Sequence, residues 1–192
     1  MRALVLGGIR SGKSRWAESA IAGLAQPGQP GQLGQLGQPV HYLATGAAAE
    51  TDTAWSGRIT EHRERRPPHW STIETDDIAT QLRSSPDTPT LVDDLGGWLT
   101  SVLNRRGAWE DGSVSADVDD LIAAVGAFGS PLALVSPEVG LAVVPATASG
   151  RRFADELGML NQRLAALCDR VVLLVAGLPV EIKPSPLGGC RD

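Results

Sequence analysis

Residues 7–14 read Gly-Gly-Ile-Arg-Ser-Gly-Lys-Ser and follow directly on the apolar run of residues 2–6, RALVL. The spacing Gly-x4-Gly-Lys-Ser is met by Gly7, Gly12, Lys13 and Ser14. Few chain paths satisfy it. A buried strand must end near Gly7, the loop must fold back on itself, and a helix must begin near Lys13. Glycines let such a loop curl until several backbone N–H groups point at one anion. The helix N-terminus adds its positive end. In this arrangement Lys13 bridges β- and γ-phosphates and the Ser14 hydroxyl ligates Mg²⁺. Gly7, Gly8, Ile9, Arg10, Ser11, Gly12, Lys13 and Ser14 are therefore the candidate nucleotide-binding residues, with a nucleoside triphosphate as the expected occupant.

The metal calls for a further acid. TLVDD, residues 90–94, is an apolar strand ending in two carboxylates. An acid at the C-terminal end of a buried strand lies at the ligand-binding edge of a parallel sheet. Asp93 is the better metal candidate and Asp94 the alternative. A cap on the helix that follows is the competing role for either.

The rest of the chain fits a sheet of the same kind. Helical spacing of Trp16, Ala17, Ala20, Ile21 and Leu24 predicts a helix from Lys13 to Leu24. Strands are expected at 39–45, 69–74, 90–94, 131–136 and 170–176. Helices are expected over 52–66, over a short stretch capped by Thr75 or Asp76, and over 95–106, 115–128 and 149–168. Pro67-Pro68 ends the first of these. Strands and helices alternate, and the strands are continuous apolar runs. This pattern predicts an α/β fold of the P-loop NTPase-like type, with a mostly parallel sheet and helices on both faces. The expected organisation is one domain over residues 1–183 and a disordered tail at 184–192. The Gly/Gln-rich stretch at 26–39 lacks apolar periodicity and reads as a flexible surface loop.

Composition narrows the function. A net charge of −5 over 192 residues argues against a partner as polyanionic as nucleic acid. No apolar run reaches about 18 residues, so no membrane span is expected. The N-terminus lacks a secretory pattern, which points to the cytoplasm. Of the two cysteines, Cys168 and Cys190, the first lies in an apolar-periodic segment and is expected in the core. Neither a disulfide framework nor a zinc site is expected.

Among the three histidines, His41 reads as a strand residue and His69 as a turn residue. His62 lies in RITEHRERR with Arg58 one helical turn upstream and Arg63, Arg65 and Arg66 beside it. Cationic neighbours favour a neutral imidazole, and a neutral imidazole can attack phosphorus. Spacing alone favours a solvated basic helix with an incidental histidine, because charge runs usually face water.

Several segments taken together resemble one family. In order they are GGIRSGKSRWAE, HYLATG, RITEHRERRPPHW, LVDDLGGWLTSVL, VSPEVGLAVVP and RRFADELGMLNQRLA. They are similar to the bifunctional adenosylcobinamide kinase/adenosylcobinamide-phosphate guanylyltransferase family of cobalamin biosynthesis, over nearly all of residues 2–183. The arginine at the fourth loop position and the segments around His62 and Glu138 carry the specificity.

The resemblance implies a homotrimer and two reactions. ATP or GTP phosphorylates the aminopropanol hydroxyl of adenosylcobinamide. GTP then guanylylates a histidine, releasing pyrophosphate, and GMP passes to the new phosphate to give adenosylcobinamide-GDP. The resemblance assigns the histidine to His62 and the metal acid to Asp93. The mechanism expected on these residues makes Lys13 the other catalytic residue, with Arg58 and Arg63 stabilising the equatorial phosphate oxygens. One departure stands beside Glu138: the family usually carries asparagine where this chain has Pro137, which removes an amide and a backbone N–H. Two simpler readings of the loop are a kinase without a covalent step and a regulatory GTP-binding module.

Overall fold

The computed structural model describes residues 1–24, 38–45 and 66–184. The Gly/Gln-rich stretch up to residue 37, the segment carrying Arg58, His62 and Arg63, and residues 185–192 lie outside them.

Among the described residues seven strands form one sheet: β1 (Arg2–Gly7), β2 (His41–Ala44), β3 (Ser71–Glu74), β4 (Thr90–Asp93), β5 (Leu132–Pro137), β6 (Arg170–Val175) and β7 (Leu178–Lys183). Their order is β3-β2-β4-β5-β1-β6-β7. All neighbouring pairs are parallel except β6 and β7. Five helices are described: α1 (Lys13–Leu24), α2 (Ile78–Ser84), α3 (Leu95–Arg106), α4 (Ser115–Ala127) and α5 (Ala148–Leu167).

Alternation along the strands divides the core in two, because successive side chains point to opposite faces. Leu4, Val92, Leu134 and Val171 pack with the buried faces of α2, α3, α4 and α5. Their immediate neighbours Val5, Leu91, Val135 and Val172 pack on the other face with Ala17 and Ile21 of α1. Every strand buried on both faces must be apolar throughout, which is why these strands read as unbroken apolar runs. Each fully buried Leu or Val contributes about 1.5–3 kcal/mol. Cys168 is buried in the larger cluster, and burial pushes its thiol up to about 12. It stays a protonated thiol at neutral pH.

Helix ends account for several local choices. Asp94 caps α3 by accepting from Gly97 N–H at 2.7 Å. Gly107 ends that helix in the left-handed conformation, at φ 60°. Thr147 caps α5, accepting from Gly150 N–H at 3.1 Å.

Two sequence expectations are corrected. Helix α2 is capped by Asp77, whose carboxylate accepts from Thr80 N–H at 3.1 Å. Thr75 instead accepts from Asp77 N–H. Starting the helix at Ile78 turns Ile78, Ala79 and Leu82 inward, and that burial fixes the register. Strand β7 was not expected. It returns antiparallel to β6 through Ala176 and Gly177, at φ 51° and 82°. A two-residue turn with both φ positive matches the natural twist of a hairpin. Pro179 is tolerated because β7 is an edge strand.

Candidate functional site

Strand β1 delivers the loop to the C-terminal edge of the sheet, between β5 and β6. The chain then leaves for β2, beyond β5 and β4, while β6 lies on the other side. Ligands of open parallel sheets bind at such a reversal.

Gly7 is the last residue of β1, and only glycine fits there. An added Cβ would overlap the Ser11 hydroxyl and stand 3.0 Å from the Leu174 carbonyl. Ser11 N–H donates to Gly8 O at 3.3 Å, closing the turn. Arg10 and Gly12 take positive φ, 57° and 91°. Alternation of this kind turns successive N–H groups to one side and makes an anion nest. Ile9 stands out in solvent at 89% exposure, so its contribution to the loop is its backbone. Trp16 N–H donates to Gly12 O at 3.0 Å and starts α1.

The tip of the β6–β7 hairpin braces the loop from outside. Gly177 N–H donates to Ser11 O at 2.9 Å. A Cβ on Gly12 would come within 3.3 Å of the Gly177 Cα. Close approach and positive φ both require glycine at 12.

Lys13 arches over the loop, its Nζ 3.3 Å from Gly8 O. Its ammonium therefore lies on the nest side. Ser14, one residue on, donates to Asp93 Oδ1 at 3.2 Å. The phenol of Tyr42 donates to Asp93 Oδ2. Burial, with the Asp93 charge adding to it, pushes the Tyr42 phenol well above its usual range, so Tyr42 acts as a fixed donor. The Arg66 guanidinium stacks on the Tyr42 ring, 3.4 Å from its centroid, and donates to Thr72 Oγ1 at 2.8 Å. Tyr42 was not among the residues picked from the sequence. Its signal was its place in HYLA, a strand aligned so that Ala44 pairs with Asp93.

The two carboxylates at the end of β4 part company. Asp93 faces Ser14, whereas Asp94 turns to cap α3. Burial raises the Asp94 carboxyl above its ordinary value; the Gly97 N–H opposes this and the Asp93 charge adds to it. A hydroxyl and a carboxylate on adjacent elements form a hard-oxygen donor pair. That set suits Mg²⁺, which takes one or two protein oxygens and completes its shell with phosphate and water.

The end of β5 lies against the loop. Pro137 pairs with Gly7 in the β1–β5 register. Its carbonyl accepts from Asn161 Nδ2 at 3.1 Å, and Asn161 Oδ1 accepts from the buried Ser136 hydroxyl at 2.6 Å. A Cβ on Gly96 would approach Pro137 Cγ to 2.8 Å, so the proline ring and Gly96 are mutually fitted. The residue beyond, Glu138, donates its N–H to Gly7 O at 3.1 Å.

Two clefts open on the surface, and the second reaches Leu6, the residue before the loop. One, about 350 Å³, is lined by Arg15, Glu18, Arg66 and Trp70. The other, about 470 Å³, lies between α5 and the β5–α5 connection and includes Glu138, Arg151 and Asn161. Thus Gly7–Ser14, Asp93 and Glu138 meet at one edge of the sheet. His62, Arg58 and Arg63 lie outside the described residues. Among the described residues no group of three or more His, Cys, Asp or Glu side chains is placed to hold a metal ion, and no helix is long and apolar enough to cross a membrane.

Replacing Gly7 by alanine tests the cradle. The added methyl forces apart the Ser11 side chain or the Leu174 carbonyl, at a cost of about 1–3 kcal/mol. Gly7→Ala is expected to lower the melting temperature and to abolish GTP binding by titration calorimetry. A variant that binds GTP with wild-type affinity would show that the loop has room the geometry denies.

Comparison with known proteins agrees with this arrangement. The bifunctional adenosylcobalamin biosynthesis protein CobP of Pseudomonas aeruginosa is 41% identical, over 97% of this chain and 100% of the relative. The protein CobU of the same description is 35% identical in Salmonella typhimurium and 33% identical in Escherichia coli. Each covers 95% of this chain and 100% of its own. Residues 3–182 match the family profile described as cobinamide kinase / cobinamide phosphate guanyltransferase. The chain belongs to that family, as its motifs implied.

Proposed function

We propose that the chain phosphorylates adenosylcobinamide and then guanylylates the product, using one phosphate loop for both reactions. The family match over residues 3–182 carries this reading. The loop geometry supports it, because the same cradle accepts the triphosphate of either nucleotide.

In the kinase reaction the backbone N–H groups of the loop and Lys13 hold the β- and γ-phosphates. The acceptor hydroxyl attacks the γ-phosphorus, the bond to the bridging oxygen breaks, and the nucleoside diphosphate leaves. In the second reaction His62 attacks the α-phosphorus of GTP. The α–β bridging bond breaks and pyrophosphate leaves, its charge neutralised by Lys13 and the loop. Arg58 and Arg63 hold the remaining α-phosphate oxygens. The corrinoid phosphate then takes GMP from the histidine and restores the imidazole. Ser14 and Asp93 would hold Mg²⁺, which when bound neutralises phosphate charge.

A homotrimer completes the reading. Leu178 and Val180 of β7 and Leu141 and Val143 of the β5–α5 connection are exposed. Apolar surface of that extent favours association. Nucleotide triphosphates as substrates favour the cytoplasm.

The test is a two-step assay. Adenosylcobinamide with ATP or GTP and Mg²⁺ should yield the phosphate, and added GTP should convert it to the GDP product. Mass spectrometry after GTP alone should find one GMP per chain. Absence of both corrinoid products would overturn the proposal.

A further inference from the structure

We propose that Glu138 is the general base of the kinase step, taking the proton from the substrate alcohol as it attacks the γ-phosphorus. The inference rests on the kinase reading above and assigns a group that reading leaves open.

Phosphoryl transfer to an alcohol is helped by a base that accepts the hydroxyl proton, and a carboxylate beside the phosphate loop can serve. Among the described residues, three acids stand on or next to the strands that flank the loop, on the β4 and β5 side. Asp93 already accepts from Ser14 and Tyr42. Asp94 is buried and accepts from Gly97 N–H. Glu138 differs from both. It is only partly buried and lines the larger cleft. Its backbone is tied to the loop by the Glu138 N–H···O Gly7 bond at 3.1 Å. Its Oε1 accepts from Gly140 N–H at 2.6 Å, which fixes the carboxylate. Its Oε2 has no hydrogen-bond partner among the described residues. One oxygen is therefore anchored and the other is available to a substrate.

The cleft offers a path for that substrate. It runs from Glu138 and Asn161 beside the loop to Val144 and Ile182 at an apolar rim. Such a channel suits an amphipathic alcohol: a polar arm reaches inward while an apolar ring edge rests on the rim. The macrocycle is larger than 470 Å³, so the cleft takes the arm and the nearest edge. In the step itself the alcohol O–H bond breaks and its proton passes to Glu138 Oε2. The oxygen bonds to the γ-phosphorus, and the pair in the bridging P–O bond leaves with the nucleoside diphosphate.

The second reaction has no such need, because its acceptor is a phosphate already ionised. That difference supplies the test. Glu138→Gln keeps the side-chain shape and an acceptor for Gly140 but removes the base. Its kinase kcat should fall by about 10²–10⁴-fold. GMP loading from GTP, and transfer to adenosylcobinamide phosphate made separately, should stay at wild-type rates. Glu138→Asp should recover part of the kinase rate. Full kinase turnover in Glu138→Gln overturns the assignment, and so does an equal loss of GMP loading, which would mark a structural role. Wild-type protein that never phosphorylates adenosylcobinamide would instead refute the family activity itself, before any variant is compared.

Discussion

Lys13→Ala is expected to stop both reactions. Its ammonium stands 3.3 Å from Gly8 O, where the proposed mechanism puts the β- and γ-phosphates in either step. Loss of one preorganised charge of this kind costs about 10²–10³-fold in rate. Both steps need the triphosphate seated, so phosphorylation of adenosylcobinamide and loading of GMP should fall together. The fold should survive, because the side chain is not among the core residues and its only hydrogen bond among the described residues is to a loop carbonyl. Circular dichroism and melting temperature check that point. Wild-type kinase turnover with GMP loading lost would mean that separate sites hold the two donors.

His62→Ala should divide the activities instead. The adduct of one GMP should vanish from the mass spectrum of protein incubated with GTP and Mg²⁺. Adenosylcobinamide phosphate should still form and then accumulate, since the kinase step uses the loop and not the imidazole. A covalent nucleophile has no stand-in, so guanylyl transfer should fall to background. An adduct that persists in the variant would move the nucleophile elsewhere. Lys13→Ala, Glu138→Gln and His62→Ala thus give three patterns in one pair of assays: both steps lost, the first lost, the second lost.

The parts of this site that were legible in the sequence are the local ones. The anion cradle lies within residues 7–14, and its glycine spacing states the backbone geometry directly. The buried strands were legible because packing on both faces leaves no room for polar residues. Asp93 was preferred to Asp94 as the metal acid, but either could still cap the next helix or face the site. The pairing of β4 with β2 and β5 sets which one meets Ser14. Tyr42 and Glu138 depend on the same kind of long-range register. Glu138 reaches the loop only because β5 is the neighbour of β1, a fact no stretch of adjacent residues states. Strand β7 was concealed by its own turn. Ala176 is an unusual residue for positive φ, and Pro179 argues against a strand anywhere but an edge. The alternation Leu178, Val180, Ile182 was the available signal.

The contact between Gly177 and Ser11 ties the loop to a hairpin that follows it much later in the chain. During synthesis the cradle emerges from the ribosome well before the hairpin that steadies it. A growing chain therefore carries the nucleotide signature long before it can grip a nucleotide. Truncation just ahead of Gly177 would leave the motif whole in sequence and unsupported in space.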